Sequence, residues 1–314
     1  MLKMQKVGKS YMQKIVLQDL NLEVENGRIF GLIGAVGEGK TTLCRMIAGL
    51  IPIDEGEIYI DEKQLSRHPE IVRKKLGYVP RQFGRYRDMT CEEYLEYFGR
   101  LYGRNDDITE KKLEELLEMA KLASRSREQV DQQRPEVKKK LSLIRCLLTD
   151  PDVLVLDDFL VGLDVRERKE LNTLLLQIRD MDKAILISSP GTSFLTGEED
   201  CLGILQRGNI VVQGTLEEIT EQVNRSNPLE LVIAENCAKA VEVLKAEKTI
   251  TRISMDGNKI FAGFEGTQED QVRILRCLMK EGVPVISFQR GKSDLESVFW
   301  KLTERCRSAV FGKG

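Results

Sequence analysis

Gly34-Ala35-Val36-Gly37-Glu38-Gly39-Lys40-Thr41-Thr42 follows an apolar run, Ile29 to Ile33, and precedes a helical pattern that ends near Leu50. Gly34, four intervening residues, Gly39, Lys40 and Thr41 match G-x-x-x-x-G-K-[ST] in strand, loop, helix order, which is the context of a phosphate-binding loop. Chemistry dictates the residue types. Glycines let the backbone curl until successive N–H groups point at a polyphosphate, and the helix that follows adds the positive end of its dipole. Lys40 can reach the β- and γ-phosphates of a nucleotide, and the Thr41 hydroxyl can coordinate Mg2+. A glycine-rich turn that matched by accident would not need the flanking strand and helix.

The 314 residues, 41% of them hydrophobic, leave room for one or two domains with cores of ordinary size. Lys plus Arg (48) nearly balance Asp plus Glu (50), so the net charge of −2 speaks against nucleic acid as the main partner. Seven cysteines (Cys44, Cys91, Cys146, Cys201, Cys237, Cys277, Cys306) are scattered and never spaced C-x-x-C. They suit reduced cytosolic thiols better than a disulfide framework or a zinc site. The first residues, MLKMQKVGKSY, lack the apolar core of a signal peptide, and no run approaches the ~20 apolar residues of a membrane span. A membrane function is therefore expected to need a second chain.

Residues 1 to 33 read as short strands, with Asn26-Gly27 as a tight hairpin turn between Leu20–Val24 and Ile29–Ile33. Tyr11 lies upstream, where an aromatic ring either stacks on an adenine or packs against the fold. Pro52, Asp54, Glu55 and Gly56 mark a turn before the alternating strand Glu57 to Asp61. Gly77-Tyr78-Val79-Pro80 closes another strand and leads into Arg81-Gln82-Phe83-Gly84. From Thr90 to Leu148 the pattern is helical: Thr90 and Glu93 fit a capping box, and Leu113, Leu116, Leu117 and Ala120 share a helix face. The last of these helices begins near Pro135-Glu136 and carries Val137, Leu141, Ile144 and Leu148 as a buried stripe, with Lys138-Lys139-Lys140 expected as a solvated face.

Val153-Leu154-Val155-Leu156 is a continuous apolar strand ending in Asp157-Asp158. Such a strand is buried on both faces in a parallel sheet, and ligands of α/β folds gather at its C-terminal edge. In a chain that also has a phosphate loop, Asp157 is the natural acid for Mg2+, and Asp158 is placed to orient or deprotonate a water. Ala184 to Ser188 repeats the buried-strand pattern, and Leu202 to Val212 reads as a hairpin around Arg207-Gly208-Asn209. Asn224 to Pro228 is polar and turn-rich and marks a domain boundary. Beyond it strands and helices alternate as βαββαβ plus a terminal helix with a Ser293 to Glu296 capping box and a stripe of Leu295, Val298, Phe299 and Leu302. RNA-recognition modules share this order, but Lys259 to Phe264 departs from their third-strand motif at Ile260 and Gly263.

Taken together, the loop, the helical block, Asp157-Asp158 and Gly162-Leu163-Asp164 resemble the nucleotide-binding subunit of an ABC transporter, over nearly the whole chain. The C-terminal segment, closing on Ser293-Asp294-Leu295-Glu296-Ser297-Val298-Phe299, looks like the appended domain of ATPases serving drug, antibiotic or polysaccharide exporters. The resemblance implies an α/β P-loop NTPase of ABC type, with a mixed sheet core and a helical subdomain at about 84–150. It places a nucleotide-binding domain at 1–224 and a ferredoxin-like βαββαβ domain at 225–314. It implies ATP and Mg2+ as cofactors, Tyr11 as the adenine-stacking residue, and Gly162-Leu163-Asp164 as the loop that touches an opposite subunit. It also implies a separate membrane-spanning permease, a second nucleotide-binding subunit, and a cytoplasmic position against the inner face of the membrane.

Four departures stand beside the matches. The family has Gly-Tyr-x-Pro-Gln, whereas here Gly77-Tyr78-Val79-Pro80 is followed by Arg81, with the glutamine displaced to Gln82. Counting back from Asp150-Pro151 sets Gln133-Arg134-Pro135-Glu136 where the family has Leu-Ser-Gly-Gly. Asp158 stands for a glutamate and is one methylene shorter, and Pro190, after Ile187-Ser188-Ser189, stands where a histidine follows Ser-Thr. The expected function is an ATP-binding exporter subunit with weakened hydrolysis, paired in a heterodimer rather than a homodimer. The competing readings are a non-hydrolysing nucleotide switch on the same kind of transporter, and a soluble ABC protein acting on ribosomes or DNA.

Overall fold

The structure, a computed structural model, describes residues 1–102, 106–192, 199–224 and 228–291. The chain divides into two compact units, Met1–Thr215 and Leu216–Gly314, so the helix at 216–224 falls with the second unit, whereas a boundary at 224 would leave it with the first. The expected terminal helix, with its Ser293 cap, lies outside the described residues.

In the first unit, β1 (Leu2–Tyr11) and β2 (Lys14–Val24) precede β3 (Ile29–Ile33) and α1 (Lys40–Ile47). Next come β4 (Glu55–Ile60), β5 (Lys63–Gln64), α2 (Pro69–Lys74) and β6 (Leu76–Val79). A helical block follows, made of α3 (Cys91–Leu101), α4 (Asp106–Met119) and α5 (Pro135–Leu147). The unit closes with β7 (Val153–Leu156), α6 (Val165–Arg179), β8 (Ala184–Ser189), β9 (Cys201–Gln206) and β10 (Asn209–Gly214). Two sheets result: an antiparallel one ordered β2-β1-β4-β5, and a mixed one ordered β10-β9-β3-β8-β7-β6 in which only β10 runs antiparallel to its neighbour.

The order follows from burial. β3 and β7 are apolar along their whole length, β8 is apolar as far as Ile187 and ends in Ser188-Ser189, and all three are buried at every residue, as in the interior of a parallel sheet. β2 alternates over its second half and pairs with β1 instead. The expected Asn26-Gly27 hairpin is therefore corrected: the turn carries the chain from one sheet to the other, because β3 satisfies its backbone with β8 and β9. One apolar cluster fills the space between the sheets around α1, and another packs α3 to α6 on the opposite face of the parallel sheet. The helices start where local chemistry predicts: Thr90 and Glu93 close a capping box on α3, and Asp164 and Glu167 close one on α6.

α5 crosses β6 closely. A Cβ on Gly77 would lie 2.6 Å from Leu154 Cδ2 and 2.9 Å from Cys146 Cβ. Gly77→Ala is expected to cost about 1–3 kcal/mol of stability by overpacking, read as a lower urea midpoint. An unchanged midpoint would mean that α5 yields freely at this contact.

The lysine run on α5 is not a solvated face. Lys140 is buried and paired with Glu170 of α6 at 3.1 Å, and Lys139 lies over the Phe159 ring, 5.5 Å from its centroid. Lys138 donates to the Asp131 carbonyl at 2.8 Å. Successive helix positions are about 100° apart, so three in a row on a helix packed on both sides cannot all face water.

The second unit opens with α7 (Leu216–Asn224) and continues with β11 (Leu229–Ile233), α8 (Cys237–Lys245), β12 (Ile250–Asp256), β13 (Lys259–Phe264), α9 (Gln268–Lys280) and β14 (Val285–Arg290). Its antiparallel sheet is ordered β12-β13-β11-β14, and a separate core of Leu229, Leu231, Ile260, Phe264, Ile274 and neighbouring residues joins the sheet to α8 and α9.

Candidate functional site

Four parallel neighbours, β3, β8, β7 and β6, deliver their C-terminal ends to one edge of the sheet. The edge collects the loop after β3, Ser188 and Ser189 of β8, Asp157-Asp158 after β7, and Arg81 after β6. Residues up to 155 positions apart in the chain become neighbours because parallel strands stack their ends together.

The loop takes the shape its glycines permit. Gly37 and Gly39 have φ of 95° and 102°, and Gly39 caps α1 in the left-handed region. A Cβ on Gly39 would also meet Leu17 Cδ2 at 2.7 Å, so conformation and space both call for glycine there. α1 begins at Lys40 without a side-chain cap, which leaves the first N–H groups of the helix for another acceptor. Lys40 Nζ donates to the carbonyls of Gly34 (2.6 Å) and Ala35 (3.1 Å), so the ammonium bridges the two ends of the loop. Burial lowers its pKa, opposed by the negative charges of Asp158 and Asp157.

Asp157 is 1% exposed. Its Oδ1 accepts from the Thr41 hydroxyl at 3.1 Å and from the Ser188 hydroxyl at 3.1 Å. Burial raises its pKa, the two hydroxyl bonds oppose that rise, and Asp158 adds repulsion. The Ser188 hydroxyl also accepts from the Asp158 N–H at 2.8 Å, so one side chain ties both acids to β8. Asp158 has φ of 45°, and its Oδ1 is buried without a hydrogen bond, while Oδ2 faces the Arg81 guanidinium at 3.7 Å.

The donor set fits a hard divalent cation such as Mg2+. Thr41 and Asp157 offer a hydroxyl and a carboxylate oxygen already in contact, and such ions take one or two carboxylates together with substrate phosphate and water. Among the described residues, no group of three His, Cys, Asp or Glu side chains could hold a metal by itself.

Of the residues read from the sequence, Gly34, Ala35, Val36, Gly37, Glu38, Gly39, Lys40, Thr41 and Thr42 form the loop and helix start, with Asp157 and Asp158 beside them. The Glu38 carboxylate accepts from the Arg207 N–H, which anchors the loop to the β9–β10 turn. Tyr11 ends β1 half-exposed, with Lys9 Nζ 5.4 Å from its ring centroid, a surface ring rather than a core one. Pro190 follows β8 directly, and the Ser189 hydroxyl bonds the Gly191 carbonyl at 2.6 Å. Arg134 pairs with Glu167 and with Glu136 (3.6 Å) at the start of α5. Sequence reasoning missed Ser188 as an orienting group, although a polar residue ending an otherwise aliphatic buried strand was the available signal. It also missed Lys139, which burial takes down to about 8 in pKa against the pull of Asp158.

Residues 17–161 match the family described as ABC transporter. The linearmycin resistance ATP-binding protein LnrL of Bacillus subtilis (strain 168) is 22% identical, across 97% of this chain and 99% of its own. A Nod factor export ATP-binding protein I from Cupriavidus pinatubonensis is 27% identical, across 97% of this chain and 91% of its own. Among solved structures, an ATP binding subunit of an ABC transporter is 27% identical with a TM-score of 0.64, covering 71% of this chain and 92% of its own. A dimeric bacterial ABC transporter cassette shares the fold at 22% identity and a TM-score of 0.62, covering 69% of this chain and 99% of its own. The curated relatives align through the second unit as well as the first, so the chain is similar over nearly its whole length to ATP-binding subunits of ABC transporters, and its residues 17–161 carry the ABC transporter domain.

Proposed function

We propose that this chain is the ATP-binding subunit of an exporter, that it binds Mg-ATP on Gly34 to Thr42 with Asp157, and that it hydrolyses the nucleotide slowly. The observation that carries the reading is the Thr41–Asp157 contact, which joins the phosphate loop to the end of β7 across 116 residues of sequence. Relatives named for linearmycin resistance and Nod factor export support the direction of transport. No helix among the described residues is long and apolar enough to cross a membrane, so a permease on a separate chain supplies the path and holds this subunit at the inner face of the membrane. Tyr11 stacks on the adenine ring. A second nucleotide-binding subunit completes the site, and a heterodimer is favoured by the altered start of α5.

Slow hydrolysis rests on Asp158. A carboxylate one methylene short of glutamate withdraws from a water it should hold in line, and Pro190 brings no side-chain donor to the end of β8. A positioned general base contributes about 10² to 10⁴-fold. The purified chain is expected to turn over well below the common enzyme median of about 10 s⁻¹. Asp158→Glu should recover part of the rate, and Pro190→His added to it should recover more, in a steady-state phosphate-release assay. Turnover at the median by the unmodified chain would overturn the claim, and nucleotide binding with no turnover at all would make the chain a switch.

A further inference from the structure

Two of the departures from the family pattern meet in space. β6 and β7 are parallel with Val79 beside Leu156, and the Asp157 N–H donates to the Val79 carbonyl at 2.9 Å. Beyond the ends of this strand pair, Arg81 and Asp158 meet. The guanidinium Nη1 lies 3.7 Å from Asp158 Oδ2, with the acid 5% and the arginine 53% exposed. Gln82, the displaced glutamine, is one position further on and exposed. The segment is held from behind: Phe83 packs against Tyr86 and Tyr94 with ring centroids 5.3 and 5.5 Å apart.

Asp158 is fixed more tightly than its partner. Its N–H is bound to Ser188 and its side chain is buried, so the half-exposed arginine is the member able to move. Lys40 on the loop and Lys139 on α5 add positive charge within electrostatic reach of the two carboxylates. One Asp158 oxygen therefore faces a guanidinium and the other is buried without a partner, an arrangement that costs free energy unless something is gained by it.

We propose that Arg81 is a built-in counter-ion that restrains the site: it draws Asp158 into an ion pair and away from the attacking water, and it opposes entry of the divalent cation that accompanies ATP. The proposal rests on the reading of this edge as the Mg-ATP site, and it makes Arg81 a positioning residue. A solvent-exposed cation at this distance adds little to fold stability, so its effect falls on the ions and acids next to it.

The test uses the full chain with a fluorescent ATP analogue titrated with Mg2+ at low ionic strength. Arg81→Gln should lower the half-saturating Mg2+ concentration about fivefold, the order expected when one like charge near a divalent ion is removed in a water-like dielectric. Arg81→Lys, which keeps the charge, should stay near the unmodified chain, and the difference should shrink at high salt. In the phosphate-release assay Arg81→Gln should turn over faster than the unmodified chain. Arg81→Gln with Asp158→Glu should exceed either single change, because lengthening the acid alone leaves the guanidinium in place. An unchanged Mg2+ requirement, or turnover in Arg81→Gln no faster than in the unmodified chain, overturns the proposal. Failure of the unmodified chain to bind the analogue at all would instead overturn the assignment of the site.

Discussion

Lys40→Ala should weaken ATP binding by about two orders of magnitude or more in calorimetry, because each hydrogen bond from a charged donor is worth roughly 1.5–3 kcal/mol and the ammonium can make more than one to a triphosphate. The side chain is positioned for this by the loop itself. It sits 5% exposed, held by the carbonyls of Gly34 and Ala35, at the start of a helix whose first N–H groups carry no side-chain cap. Burial works against the charge and the two acids work for it, so the ammonium is held where an incoming anion supplies the missing partner. The substitution also strips two loop carbonyls of a donor, which can loosen the loop itself. Lys40→Met preserves most of the volume, and thermal unfolding without nucleotide separates the two effects. Equal ATP affinity in the unmodified chain and in both variants would show that the loop is not the binding site.

The phosphate loop was legible because everything it needs is local: a strand, nine residues and a helix start. The same holds for β7, since four aliphatics in a row suit the inside of a sheet, and for Thr90, whose capping partner lies three residues away. What failed was local chemistry applied to a question of partners. Asn26-Gly27 has the composition of a hairpin turn, yet β3 is buried at every residue and is claimed by β8 and β9, more than 150 positions away. Lys138 to Lys140 read as solvated because a run of charge carries no information about what packs against the helix, and here α6 supplies Glu170. In the second unit the alternation of strands and helices was readable, whereas the residue-by-residue register between its distant strands is set by packing. Arg81 and Asp158 were each visible as departures from the family, while their contact arises where the chain leaves the neighbouring strands β6 and β7.

Replacing Arg134-Pro135-Glu136 by Ser-Gly-Gly should strengthen ATP-dependent self-association at least tenfold, measured by light scattering or sedimentation with Mg-ATP. In the family, two subunits pair head to tail, and the Ser-Gly-Gly of one holds the γ-phosphate bound to the loop of the other through a hydroxyl and backbone N–H groups. Here α5 keeps the helix start and loses the clamp. Pro135 suits the first helical position but has no N–H, and Arg134 precedes it without capping the helix by its side chain. Glu136 suits the helix dipole, yet places a carboxylate where an anion would dock, with Oε2 buried and without a hydrogen bond. Arg134 bridges Glu136 and Glu167, so the start of α5 is tied to the start of α6 instead of being open to a phosphate. That pair is largely exposed on the arginine side, so losing it should cost no more than about 1 kcal/mol of stability. A new serine at the cap position offsets part of that loss. Removing one carboxylate, restoring one N–H and adding one hydroxyl act in the same direction on the bound phosphate, and a tenfold gain needs only about 1.4 kcal/mol from the three together. In a heterodimer with an intact subunit, this chain's own loop is completed by the partner, and only the opposite site is weak, so ATP should be held longer here than there. Tight ATP-driven homodimers of the unmodified chain would remove the reason for expecting a heterodimer.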